Sequence, residues 1–134
     1  MNIRSAAEKD MEKLSLHDKH IVKSELEIAI QLNRIFIAEE DGVFIGWLRY
    51  NLFWDNTPFM NMLYLIEGSR NKGYGKQLVE YWEKEVKSLG YDIVMTSAQS
   101  DEYSQHFYVK SGYQAIGGFI LEPEPYEIIF SKKL

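Results

Sequence analysis

Residues 63–90, LYLIEGSRNKGYGKQLVEYWEKEVKSLG, constrain the fold more than any other stretch, because their hydrophobic pattern changes period within a few positions. Leu63, Tyr64, Leu65 and Ile66 form an apolar run too short for a helix and bounded by Glu67-Gly68-Ser69, which predicts a buried strand. Tyr74, Leu78, Val79, Trp82, Val86 and Leu89 then recur with helical spacing on one face, and Gly90 is expected to stop that helix. The opposite face carries Glu80, Glu83, Lys84 and Lys87, paired four apart as Glu80/Lys84 and Glu83/Lys87, and is expected to be solvated. A strand therefore hands over to a helix N-terminus across Arg70-Asn71-Lys72-Gly73-Tyr74-Gly75-Lys76.

Such a terminus binds anions. The first N–H groups of a helix lack intrahelical acceptors, and the aligned peptide dipoles place roughly half a positive charge there. A phosphate supplies the missing acceptors. Gly73 and Gly75 carry no side chain to hold phosphate oxygens off the backbone, while Arg70, Lys72 and Lys76 add cationic donors around the same point. The pattern implies a diphosphate cradle. Gly73-Tyr74-Gly75 lacks the third glycine of the dinucleotide fingerprint, and no Gly-x-x-x-x-Gly-Lys-Ser/Thr run occurs.

Arg70-Asn71-Lys72-Gly73-Tyr74-Gly75 resembles the Arg/Gln-x-x-Gly-x-Gly/Ala signature of the GNAT superfamily, the acyl-CoA-dependent N-acetyltransferases, whose members hold the coenzyme A diphosphate on that loop. Downstream, Phe107-Tyr108-Val109-Lys110-Ser111-Gly112-Tyr113 is similar to the family's Phe-Tyr-x-Lys-x-Gly-Phe/Tyr segment. The two together cover the C-terminal half, and the N-terminal half carries no residue signature of its own.

Size and charge narrow the classes independently. The 134 residues suit one domain, residues 1–134, with a single core. A net charge of −5 argues against the broad basic surface a nucleic-acid binder needs, although the local loop at 70–76 survives that objection. The absence of cysteine excludes disulfides and a cysteinyl-acyl intermediate, so acyl transfer is expected to be direct. No segment reads as a signal peptide or a membrane span, so a cytoplasmic protein with no membrane partner is expected.

Along the chain, residues 2–4 read as a short strand and Ser5-Ala6-Ala7-Glu8 as a capping box starting a helix. His17-Asp18-Lys19-His20 is a polar connector whose two histidines are expected to be solvated; no metal site is expected there. A second helix follows from about Ile21 to Leu32. Residues 35–40 and 43–54 are strands joined by the hairpin signal Asp41-Gly42, and 59–66 is a third after the turn Asp55-Asn56-Thr57-Pro58. Residues 91–97 form a parallel neighbour of that third strand, 102–110 a short helix, and 113–121 and 126–132 the closing strands. The resulting class is α/β (α+β), a mixed, mostly antiparallel sheet of about six to seven strands with helices on its faces.

The resemblance implies more. In GNAT proteins the strand before the loop and the strand after its helix splay apart, and the pantetheine arm of acetyl-CoA enters the gap, pairing with backbone around Leu63 and Leu65. A tyrosine hydroxyl beside the coenzyme sulfur protonates the leaving thiolate, and the matching position is Tyr108, with Tyr103 and Tyr113 as substitutes. An asparagine often lies seven residues before that tyrosine; here the position is Asp101. The family's strand carboxylate is missing from Met60-Asn61-Met62, which leaves a solvent relay, Glu67, Glu40 or Asp55 as the base. The implied reaction is acetylation of a primary amine by a monomer or homodimer, and the alternative is an acyl-CoA sensor without turnover.

Overall fold

The computed structural model describes residues 1–134, with seven strands and four α-helices. In chain order these are β1 (Asn2–Ser5), α1 (Met11–His17), α2 (Lys23–Gln31), β2 (Ile35–Glu40), β3 (Val43–Phe53), β4 (Thr57–Leu65), α3 (Tyr74–Ser88), β5 (Ile93–Gln99), α4 (Ser104–Lys110), β6 (Gln114–Phe119) and β7 (Glu127–Lys133). The sheet runs β1-β2-β3-β4-β5-β7-β6 and is mixed: β4 and β5 are parallel, whereas β1/β2, β2/β3, β5/β7 and β6/β7 are antiparallel. The parallel ladder is short. It registers Phe59 with Met95 and Met60 with Thr96, between the two strands that the family resemblance implies splay apart. No helix is long and apolar enough to cross a membrane.

Contacts divide the chain into two units, residues 1–51 with 62–82, and residues 52–61 with 83–134. In the first, β2 shows why period-two patterning works. Ile35 and Ile37 join Leu14, Leu26, Ile30, Phe44 and Trp47 in a core under α1 and α2. Phe36, between them, faces the other way and meets Tyr50 and Tyr81, its ring centroid 5.2 Å from that of Tyr81 on α3. Helices thus cover both faces. Burying a Leu, Ile or Phe side chain is worth about 1.5–3 kcal/mol, so this double-sided packing carries most of the unit's stability.

Both histidines of the α1–α2 connector are exposed, as expected, but the same connector buries a carboxylate. Asp18 is buried, and its carboxylate accepts from Arg49 Nε at 2.9 Å, Trp47 Nε1 at 3.2 Å and His20 N at 3.2 Å. His17 is exposed, yet its ring stacks on Phe44 at 5.3 Å. The start of the first helix also differs. Ser5 is used as the last residue of β1, opposite Phe36, and the Asp10 carboxylate takes the Ala7 N–H instead, so a 3-10 turn over Glu8–Asp10 leads into α1. Arg4 grips the same Asp10 through both terminal nitrogens at 2.8 Å, which holds that carboxyl below the usual range.

The two hairpins of β2, β3 and β4 both turn through left-handed residues. Asp41 and Gly42 (φ 51° and 78°) do so as the Asp-Gly signal predicts. The second turn falls one residue earlier than expected, on Trp54 and Asp55 (φ 55° and 64°), so Trp54 leaves the strand and is 80% exposed.

In the second unit, β5 and β7 pair over their full lengths and β6 forms the edge. Gly90 (φ 102°) ends α3 with Tyr91 N bonding back to Val86 O at 3.1 Å, so Leu89 lies past the helix and is exposed rather than on the buried stripe. Glu83 is the larger correction to the predicted solvated face. It is buried, accepts from the Tyr113 hydroxyl at 2.7 Å and from Lys132 Nζ at 3.1 Å, and ties α3 to the turn after α4 and to β7.

Candidate active site

The loop between β4 and α3 is built by three left-handed residues, Gly68 (φ 91°), Asn71 (φ 62°) and Gly73 (φ 82°). A Cβ at Gly73 would meet nothing within 4 Å, so the space over the backbone is open, but the positive φ still selects glycine. Gln77 N–H donates to Gly73 O at 3.2 Å and is the first amide with an acceptor inside the helix. The N–H groups of Tyr74, Gly75 and Lys76 precede it and have no intrahelical acceptor. Asn71, Lys72 and Lys76 are exposed, and Lys76 makes only a loose 3.9 Å pair with Glu80.

Arg70 is less free than the sequence suggests. Its Nε donates to Leu65 O at 2.9 Å and its guanidinium lies over the Tyr64 ring, 5.1 Å from the centroid. Of the two expected β4 partners, Leu65 thus already has an acceptor in use; Leu63 is half-buried on the same strand. Tyr74 opens α3 half-buried. Its phenol bonds Glu40 at the end of β2, and that carboxylate pushes the phenol pKa up. Among the possible bases, Glu40 is therefore engaged with Tyr74, Glu67 is exposed, and Asp55 sits in the β3–β4 turn.

The donor set suits a diphosphate: unpaired helical amides, an open glycine, and cations at 70, 72 and 76 around one helix start. Backbone amides pre-positioned in this way stabilise anionic oxygens without side-chain rearrangement.

In the other unit, Tyr108 lies on α4, 6% exposed, its ring 5.8 Å from Tyr113 and 5.8 Å from Phe130. Its hydroxyl bonds Thr96 on β5. Thr96 in turn donates its hydroxyl proton to Met60 O at 2.9 Å. Burial pushes the Tyr108 pKa up to about 12, with Glu102 and Glu127 raising it further and Thr96 opposing. The phenol is consequently protonated across the physiological range.

Tyr113 donates its hydroxyl to Glu83, and Tyr103 is 78% exposed with its ring against His106. Asp101 is exposed in the turn after β5. No group of three or more His, Cys, Asp or Glu side chains gathers to hold a metal.

Sequence reasoning overlooked three of these partners. Thr96 has no signature, because a threonine inside a buried strand reads as β-propensity alone. Glu83 follows Val79 by four and precedes Val86 by three, so spacing put it beside the apolar stripe while its charge argued for solvent. Tyr64 reads from the sequence only as one residue of an apolar strand, and the geometry alone brings it under Arg70.

No curated protein sequence matches the chain significantly. Solved structures similar to it over nearly its whole length include a GNAT-family acetyltransferase from Bacillus cereus, 22% identical with TM-score 0.77, covering 98% of this chain and 96% of that one. Another is the PaiA N-acetyltransferase from Thermoplasma acidophilum in complex with coenzyme A, 20% identical with TM-score 0.80, covering 99% and 98%. A third is an IAA acetyltransferase from Bacillus cereus, 18% identical with TM-score 0.77, covering 99% of each. These likenesses carry the fold. The family model described as the Acetyltransferase (GNAT) family matches residues 3–113, most of the chain and both of its signature segments up to Tyr113, and the chain therefore belongs to the GNAT acetyltransferases.

Proposed function

We propose that the protein transfers an acetyl group from acetyl-CoA directly to a primary amine. The observation that carries this reading is the loop at 70–76, where unpaired helical amides, the open left-handed Gly73 and three cations are gathered at one helix start. The amides of Tyr74, Gly75 and Lys76 hold the diphosphate, Asn71 and Lys72 shape and charge the loop, and backbone groups of Leu63 and Leu65 pair with the pantetheine arm. The coenzyme complex recorded for the Thermoplasma acidophilum relative supports the choice of ligand. Asp101 contacts the coenzyme near its arm in this reading.

The thioester supplies an activated acyl group, and the chain's own residues supply position and proton. Tyr108 acts as the general acid. A phenol near pKa 12 starts every cycle protonated, as the role requires. The burial that keeps the proton on also makes the group a weaker acid, so its largest effect is a hydrogen bond that strengthens as negative charge builds on sulfur. The amine reaches the carbonyl in its neutral form, losing its proton to solvent or to a carboxylate outside Met60-Asn61-Met62.

The test is turnover. Acetyl-CoA mixed with a panel of primary amines should release free coenzyme A, and Tyr108→Phe should lower kcat about 100-fold while acetyl-CoA affinity stays within twofold. Full activity in Tyr108→Phe would remove the proton-donor role. Binding of acetyl-CoA without product from any amine would favour the non-catalytic sensor, which the missing strand carboxylate supports.

A further inference from the structure

Arg70 sits at the mouth of an exposed loop, where a long side chain would ordinarily sample many rotamers. Here it is held twice. Nε donates to Leu65 O at 2.9 Å, and the guanidinium lies over the Tyr64 ring at 5.1 Å. Tyr64 is itself backed: the Trp47 ring is 4.9 Å away and 1% exposed, and its indole N–H donates to the buried Asp18 at 3.2 Å. Gly46 lets β4 approach at this point, because a Cβ there would collide with Tyr64 O and stand 2.7 Å from Leu65 Cδ2. A chain of fixed contacts thus runs from Asp18 through Trp47 and Tyr64 to Arg70.

The consequence lies in what remains unused. Arg70 spends Nε on Leu65 and makes no other hydrogen bond or ion pair, so the N–H groups on both terminal nitrogens are unpaired. A guanidinium is a rigid fork, and fixing Nε and the ring plane fixes the direction of the other donors. We propose that Tyr64 is a positioning residue for coenzyme binding: its ring pre-orders Arg70 so that the two terminal nitrogens meet the diphosphate held on the 70–76 loop. The proposal rests on the acetyl-CoA reading above. It assigns Tyr64 no contact with the reacting atoms.

The experiment measures acetyl-CoA affinity by isothermal titration calorimetry, with kcat and KM where an acceptor amine is in hand. Tyr64→Leu should raise the dissociation constant about three- to tenfold with kcat at saturation unchanged, whereas Tyr64→Phe, which keeps the ring, should stay within twofold of wild type. Arg70→Gln should weaken binding at least as much, and adding Tyr64→Leu to it should cost less than twofold more, because the ring acts only through the arginine. Arg70 is a loop residue, so Arg70→Gln alone keeps the proposal falsifiable should Tyr64→Leu fold poorly: wild-type affinity in Arg70→Gln would leave the Tyr64 ring nothing to act through and would overturn it.

Wild-type affinity in Tyr64→Leu would overturn the proposal, as would a full loss in Tyr64→Phe or additive losses in the double variant. A wild-type protein that binds no acetyl-CoA would instead overturn the function proposed above, and this inference with it.

Discussion

Asp18→Ala should be among the most damaging single substitutions outside the apolar core. The carboxylate is fully buried in its side chain, the Arg49 side chain is 8% exposed, and the two meet at 2.9 Å, so truncation strands a guanidinium away from water. Breaking a buried pair from one side costs about 3–5 kcal/mol. Trp47 Nε1 and His20 N lose the same acceptor, which keeps the estimate near the middle of that range or above it, at about 4 kcal/mol. A chain of 134 residues has an unfolding entropy of about 2.1 cal/mol/K per residue, so 4 kcal/mol corresponds to a fall in Tm of roughly 14 °C. Urea unfolding followed by far-UV circular dichroism, with a thermal scan in parallel, reads both quantities. Asp18→Leu combined with Arg49→Met should cost less than Asp18→Ala alone, since no charge is left unpaired. A loss below about 1 kcal/mol in Asp18→Ala, or a double variant as unstable as the single, would refute the argument.

Three further outcomes follow from the same structure. Gly46→Ala should destabilise by about 1–3 kcal/mol in urea, because its Cβ meets the Tyr64 carbonyl and Leu65 Cα at 3.2 Å and backbone cannot step aside; unchanged stability would contradict that close approach. Glu83→Leu should lower stability by about 2–4 kcal/mol by leaving the Tyr113 hydroxyl and Lys132 without their shared acceptor, and a neutral result would mean Lys132 simply turns to solvent. Alkaline pH should weaken the fold in a defined window. Tyr108 rises from about 10 unfolded to about 12 folded and Tyr113 is also raised, so their contribution is complete below pH ~10 and is lost as pH climbs through the folded values. Urea midpoints measured from pH 8 to 11.5 should be level and then fall, less steeply in Tyr108→Phe; a flat profile in wild type would show that neither phenol is buried as described.

Much of the fold was legible because its strands and its longest helix keep a clean period. Ile35 and Ile37 face one layer and Phe36 the other, and Leu78, Val79, Trp82 and Val86 are all buried as the helical spacing requires. Asp41-Gly42 also delivered its turn, since both residues accept a positive φ cheaply. Trp54 did not follow, because a bulky residue in a left-handed turn is imposed by the strand register on either side and not by its own preference.

The shape of the candidate loop was readable because backbone sets it, whereas its tertiary partners were obscure. Glycines and a helix start announced the loop at 70–76. Glu83 reads as part of a solvated face and Asp18 as part of a polar connector, for single-sequence reasoning assigns a charged residue to solvent unless its partner is adjacent in the chain, and Arg49 and Lys132 are both far away in sequence. The same limit hid Thr96 behind Tyr108 and Tyr64 beneath Arg70.

The account stands most directly on where an acyl-CoA diphosphate goes. Titrating 15N-labelled protein with acetyl-CoA and following backbone amide resonances tests that without needing an acceptor. The largest shifts should fall on the amides of residues 72–76, with Arg70 side-chain signals moving alongside. Binding that leaves those amides undisturbed while shifting another part of the chain would contradict the assignment of the loop.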